Sequence, residues 1–244
     1  EAQENVALQV AEQMSDYLVK GAVSNAINMP SITAEEAPIL KPFIKLADCL
    51  GAFVGQVTEG PIKEIEILFD GVTATMNTKA LTSALLAGLI RPQVADVNMV
   101  SAPIMVKEKG IIVSEVKRDK TGVYDGYIKL TVTTETQTRS IAGTVFSDGK
   151  PRFIQIKGIN MDADVGANMI YIANTDVPGM IGFMGTTLGE GGVNIANFQL
   201  GRDKQGGDAI ALLYVDEKVK DEVLAKLTAH PAIRQAKPLA FNVD

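Results

Sequence analysis

Residues 168–201 read NMIYIANTDVPGMIGFMGTTLGEGGVNIANFQLG, and the order of patterns in this stretch decides the fold. Met169-Ile170-Tyr171-Ile172-Ala173 is an apolar run of strand length, with the aliphatic and aromatic content of a buried strand. It stops at Asn174-Thr175-Asp176, where Asp176 is placed to cap a helix and Pro178 to sit in its first turn, where a missing N–H costs nothing. The spacing predicts a helix from about residue 180 to 188. Gly189, Gly191 and Gly192 end it, and Val193-Asn194 leads into a second strand over 195–200. Farther on, 209–215 reads as a strand, 217–229 as a helix with Val219, Val223, Leu224 and Leu227 on one face, and 233–241 as a last strand. The resulting order, βαββαβ, is that of a ferredoxin-like sandwich.

Residues 167–244 resemble an ACT domain, a small amino-acid-sensing module. The most telling pattern is the polar Asn174-Thr175-Asp176 loop before Pro178-Gly179, followed by Gly192-Val193-Asn194. In family members that bind serine, polar residues at these positions hold the effector, so the resemblance implies a site for L-serine or another small amino acid at Asn174, Asp176 and Asn194. The chemistry agrees: Asp176 can accept from the ammonium, an amide such as Asn194 can donate and accept, and free N–H groups at a helix start favour the carboxylate. The alternative is that Asp176 is only a cap and Asn194 only a turn residue.

The whole chain has 244 residues, 46 % hydrophobic and 21 % charged, as expected of a globular protein with two compact units. A net charge of −6 gives no basic field for nucleic acid or an acidic membrane surface. No apolar run is long enough to span a membrane, and the first residues carry no signal-peptide pattern. Cys49 is the single cysteine and His230 the single histidine, so neither an intrachain disulfide nor a His-pair metal site is expected. That cysteine usage suits a reducing compartment, cytoplasmic or organellar.

Between 31 and 166 the pattern is mixed. A Pro-containing linker, 31–42, precedes a helix whose stripe is Phe43, Leu46, Leu50, Phe53 and Val54. Ile65, Ile67 and Phe69 alternate as a strand, Asn77 caps a helix to residue 90, and Ser101-Ala102-Pro103 opens another that Gly110 closes. Strands follow over 111–117, 127–134, 139–146 and 152–157, the last two joined by a hairpin at Ser147-Asp148-Gly149-Lys150. Residues 158–167 read as a short linker, and Asp162 and Asp164 within it lack the rest of a calcium loop. The fold class is thus α/β (α+β), a mixed-sheet middle domain followed by the ACT domain.

The middle region is similar to the allosteric substrate-binding domain of long-form D-3-phosphoglycerate dehydrogenases. The similarity rests on Ala95-Asp96-Val97-Asn98-Met99-Val100-Ser101-Ala102-Pro103, on Lys107-Glu108-Lys109-Gly110, and on the hairpin with Gly143 and Gly158. A related fold occurs in iron-sulfur serine dehydratases. Because some of these dehydrogenases bind phosphate compounds in this domain, the resemblance makes Arg118, Arg139, Arg152 and Lys157 candidate anion contacts. Residues 1–20 place Val6, Val10, Met14 and Leu18 on an amphipathic helix. Together with 21–30 they resemble the crossover segment that leaves the dehydrogenase core. No dinucleotide fingerprint opens a helix anywhere in the sequence, and Gly189-Glu190-Gly191-Gly192 follows one instead. The resemblance implies a regulatory piece (1–30 tail of the core, 31–166 middle domain, 167–244 ACT domain) that forms homo-oligomers through its ACT domains. It has no catalytic residues, cofactor or metal of its own, and NAD would belong to the parent enzyme. The alternative is a free amino-acid sensor or the regulatory part of a serine dehydratase.

Overall fold

The computed structural model describes residues 2–119 and 122–243. Helix α1 (Ala2–Lys20) leads through an isolated bridge between Val23 and Ile32 to α2 (Ala37–Val57). There follow β1 (Ile62–Gly71), a 3-10 turn, α3 (Thr78–Ile90), α4 (Ser101–Glu108), β2 (Ile112–Arg118), β3 (Gly126–Thr134), β4 (Thr138–Val145), β5 (Pro151–Ile156) and β6 (Ile159–Asp164). The second sheet is built from β7 (Asn168–Thr175), α5 (Met180–Glu190), β8 (Ile195–Arg202), β9 (Asp208–Val215), α6 (Asp221–Thr228) and β10 (Ile233–Ala240). The expected helix start at Glu1 lies outside the described residues.

The first sheet runs β2-β1-β3-β4-β5-β6, antiparallel except for the β1–β2 pair. Ile65, Ile67, Phe69, Ile128, Leu130 and Val132 are fully buried in the core it shares with α2 and α3. Those two helices touch backbone to backbone: a Cβ on Gly51 would lie 1.9 Å from the Leu85 carbonyl oxygen, and one on Gly88 2.2 Å from that of Asp48. Arg91 fastens the crossing, donating to both carboxylate oxygens of Asp48 at 3.0 and 2.6 Å.

The second sheet is wholly antiparallel in the order β10-β7-β9-β8, and the predicted βαββαβ order is observed. Ile170, Ile172, Ala211 and Leu213 meet Met184, Leu188, Val223 and Leu227 of α5 and α6. Met169, Tyr171, Ile210 and Leu212 belong to the core of the first sheet. Burial on both faces is why β7 and β9 read as continuous apolar runs instead of alternating ones. At the junction the Tyr171 ring stands edge-on to Phe53 at 5.4 Å, and Phe53 to Phe153 at 5.6 Å.

Four local expectations are corrected. Residues 158–167 are not a linker: Ile159, Met161 and Ala163 alternate with Asn160, Asp162 and Asp164 as strand β6, and Asp164 is engaged by Arg152 and Asn197. The 31–42 linker yields to helix at Ala37, because Pro38 occupies the first turn, where it is tolerated, and Pro42 follows inside the helix. Asp176 does not cap α5, and Pro178 stands ahead of the helix; the cap is Gly179 with φ 87°, a left-handed conformation that favours glycine. Helix α6 is shorter than 217–229, since Lys220 is extended and the helix starts with the acidic pair Asp221-Glu222.

Candidate functional site

A cavity of about 330 Å³ opens where the two sheets meet. Its walls include Gln137, Arg139 and Lys157 from the first unit and Asp208, Arg234 and Gln235 from the second. Arg139, on the first turn-out of β4, is 8 % exposed. Its Nη2 donates to Gln235 Oε1 at 3.1 Å, and its Nε has no partner. Lys157 reaches the same space from a two-residue hairpin turn between β5 and β6 in which it (φ 51°) and Gly158 (φ 80°) are both left-handed. Burial lowers its ammonium pKa below the ordinary lysine value, and Arg139 and Arg234 push it in the same direction while Asp208 resists.

The third cation is already answered. Arg234 donates to Asp208 Oδ1 at 2.6 Å and to the Asn174 carbonyl oxygen at 3.2 Å, and that bond holds the Asp208 carboxyl below the usual range. Glu59 is likewise engaged by Lys237 at 3.0 Å. Arg139 and Lys157 are therefore cations of the cavity with no carboxylate partner among the described residues. Tyr171 is buried beside them, and burial raises its phenol pKa against the pull of the neighbouring Arg139 guanidinium.

The structure brings together two of the four cations singled out from sequence. Arg118 sits on the other side of the sheet, ion-paired to buried Asp70 and donating to the Tyr127 hydroxyl at 2.7 Å. Arg152 is held between Asp148 at 3.1 Å and Asp164 at 2.7 Å and lies over the Phe146 ring. Arg234 and Gln235 escaped sequence reasoning because in sequence they are ordinary polar positions of a strand, 95 residues or more beyond Arg139. Only the β10–β7 pairing turns them towards the first unit.

The second set of candidates lies at the ends of the four-stranded sheet. Asn174 is 1 % exposed; its Nδ2 donates to the Thr175 carbonyl at 2.8 Å, and its Oδ1 has no partner. Asp176 accepts at Oδ2 from Arg202 at 2.8 Å and from the Gly206 amide at 3.1 Å, and these bonds lower its pKa, Arg202 contributing most. Asn194 donates to Asp216 Oδ2 at 2.6 Å, and its amide donates to Glu217. Asn174 pairs with Ala209 whereas Ile195, next to Asn194, pairs with Val215, so within one chain the two amides stand at opposite ends of β9, roughly 20 Å apart at strand rise. Among the described residues no group of three or more His, Cys, Asp or Glu side chains could hold a metal, and no helix is long and apolar enough to cross a membrane.

Residues 39–157, the helices and most of the first sheet, match the family model of the D-3-phosphoglycerate dehydrogenase intervening domain. The matched stretch is similar to that intervening domain. Over 97 % of its length the chain is 35 % identical to D-3-phosphoglycerate dehydrogenase of Bacillus subtilis (strain 168), covering 45 % of that protein. It is 35 % identical to the Synechocystis enzyme (97 % of this chain, 43 % of the relative) and 34 % identical to that of Methanocaldococcus jannaschii (96 % and 44 %). The chain is thus similar over nearly its whole length to part of these D-3-phosphoglycerate dehydrogenases and spans a little under half of their length.

Proposed function

We propose that this chain is the regulatory part of an NAD-dependent D-3-phosphoglycerate dehydrogenase. In this reading the four-stranded unit is an ACT domain that binds L-serine, and the junction cavity binds a phosphate-bearing metabolite. The observation that carries it is Arg139: a buried guanidinium with an unused Nε donor, beside an unpartnered Lys157, in a cavity both units line. The nearby carboxylates, Glu59 and Asp208, are paired with Lys237 and Arg234, and a phosphate or carboxylate would answer Arg139 and Lys157 with charge-assisted bonds. Hydride chemistry and NAD belong to the rest of such an enzyme, since the sequence has no dinucleotide fingerprint.

Two features support the serine reading. The buried Asn174 Oδ1 awaits a donor, and both bonds to Asp176 fall on Oδ2, leaving Oδ1 for an ammonium. β8 is the outer strand of its sheet, and antiparallel pairing with a second β8 about a two-fold axis sets Asn194 of one chain at the sheet end that carries Asn174 and Asp176 of the other.

Calorimetry with 3-phosphoglycerate tests the carrying observation. Binding heat is expected for the native chain and for Arg152→Ala, whose cation is already neutralised, and is expected to vanish in Arg139→Ala with circular dichroism unchanged. Equal heats in all three proteins would remove the junction site.

A further inference from the structure

β2 ends the six-stranded sheet on the side away from β6, and its residues are almost all exposed. Ile112 is 64 % exposed, Val116 43 % and Ile104 of the neighbouring α4 56 %. The edge has no proline and no bulge against β1, and its seven residues keep a regular register; its charged residues, Glu115, Lys117 and Arg118, are what decides which second edge can pair with it. Its sequence, Ile112-Val113-Ser114-Glu115-Val116-Lys117-Arg118, is also self-complementary in charge.

We propose that β2 pairs antiparallel with β2 of a second copy of this chain, about a two-fold axis at Val116, joining two six-stranded sheets into one. An axis perpendicular to the sheet keeps each face on its own side, so only residues of the same parity can oppose each other. Centring on Glu115 sets two carboxylates face to face. Centring on Val116 places Val116 against Val116, Glu115 against Lys117 twice, and Ser114 against Arg118, so both cross-strand charge pairs attract. Glu115 accepts from the Thr82 hydroxyl at 2.6 Å through Oε1, which leaves Oε2 to accept from a lysine opposite, and the pairing needs no rearrangement of β1. This surface is separate from β8: β6, at the opposite end of the sheet, is the strand that packs on Gly201 of β8.

Site-specific cross-linking and a charge swap test this on the full chain. Opposed Cα atoms in an antiparallel pair are about 4.5–5.5 Å apart, within disulfide range. Cys49 is buried with its thiol pKa pushed up to about 12, so an introduced cysteine is the reactive thiol. Val116→Cys treated with copper-phenanthroline is expected to yield a covalent dimer, while Val123→Cys, 96 % exposed and outside the strand, is expected to associate without forming the cross-link. By sedimentation, Glu115→Lys and Lys117→Glu are each expected to weaken this association about tenfold, and the double variant to restore it, because attraction becomes repulsion and then attraction again. Cross-linking of Val116→Cys no faster than of Val123→Cys, or charge variants that all sediment as the native chain, would overturn the proposal.

Discussion

Arg139 and Lys157 hold the junction cavity in opposite ways, one by a charge that cannot be released and the other by one that can. The pKa of Lys157 is lowered by burial and by the two arginines, so its charge is lost at a lower pH than in the unfolded chain. Between the folded pKa and the ordinary value of 10.5 the unfolded state binds more protons, and in that window the lysine's contribution to stability improves as pH rises. A bound anion reverses the shift by favouring the ammonium. Affinity for 3-phosphoglycerate is therefore expected to fall as pH climbs towards 10.5, and Lys157→Arg is expected to flatten that profile in calorimetry; a native profile as flat as the variant's would exclude Lys157 from the site. Both cations were legible in the sequence as basic residues of a resembling domain. Their separation from Arg118 and Arg152 was not, because an aspartate that neutralises an arginine 48 residues away, as Asp70 does Arg118, leaves no local pattern.

Among the elements, those that carry their own signals were readable: the Asn77 cap, which accepts from the Ala80 amide at 3.3 Å, the Gly149 hairpin, and the double-faced strand β7. Strand β6 was missed because its outward positions are Asn160, Asp162 and Asp164, a composition that mimics a loop, and its pairing with β5 is what fixes it. The contact of α2 with β10 was equally invisible. The Gln56 side chain acts there as a short strand, donating to the Ala240 carbonyl at 3.0 Å and accepting from its amide at 2.8 Å, 184 residues away. Gln56→Ala leaves both backbone groups to water at a half-closed edge, and a loss of about 1–3 kcal/mol in urea unfolding is expected, with faster exchange of the Ala240 amide. Unchanged exchange there would mean the edge does not depend on Gln56. At the α2–α3 crossing, Gly88→Ala drives a methyl to within 2.2 Å of the Asp48 carbonyl oxygen. Overpacking of this kind is expected to cost about 1–3 kcal/mol, and a urea midpoint equal to the native one would show that the helices can part freely.

The larger of two cores serves both sheets, with Phe53, Tyr171, Phe153 and Phe241 in ring contact across the junction. A ligand in the cavity and a ligand at the sheet end therefore act on a single packed body, and α5 and α6 form a smaller cluster of their own on the outer face. Helix α1 stands apart, with Val6, Leu8, Met14 and Leu18 each more than half exposed, and its sequence stripe gave the helix but no partner for it. On the regulatory reading, the purified chain is expected to produce no NADH from 3-phosphoglycerate and NAD above a heat-killed control, and steady production would refute it. The reading's central claim is that serine is held between two chains by Asn174 and Asp176 of one and Asn194 of the other. A ligand bound only to the paired, folded state stabilises it by mass action, about 2.7 kcal/mol at a hundredfold excess over its dissociation constant. Sedimentation velocity with and without L-serine, on the native chain and on Asn194→Ala, reads this directly. Serine is expected to raise the weight-average mass of the native chain and to leave that of Asn194→Ala where it was; a native chain whose mass ignores serine, or a variant that responds as fully as the native chain, would contradict it.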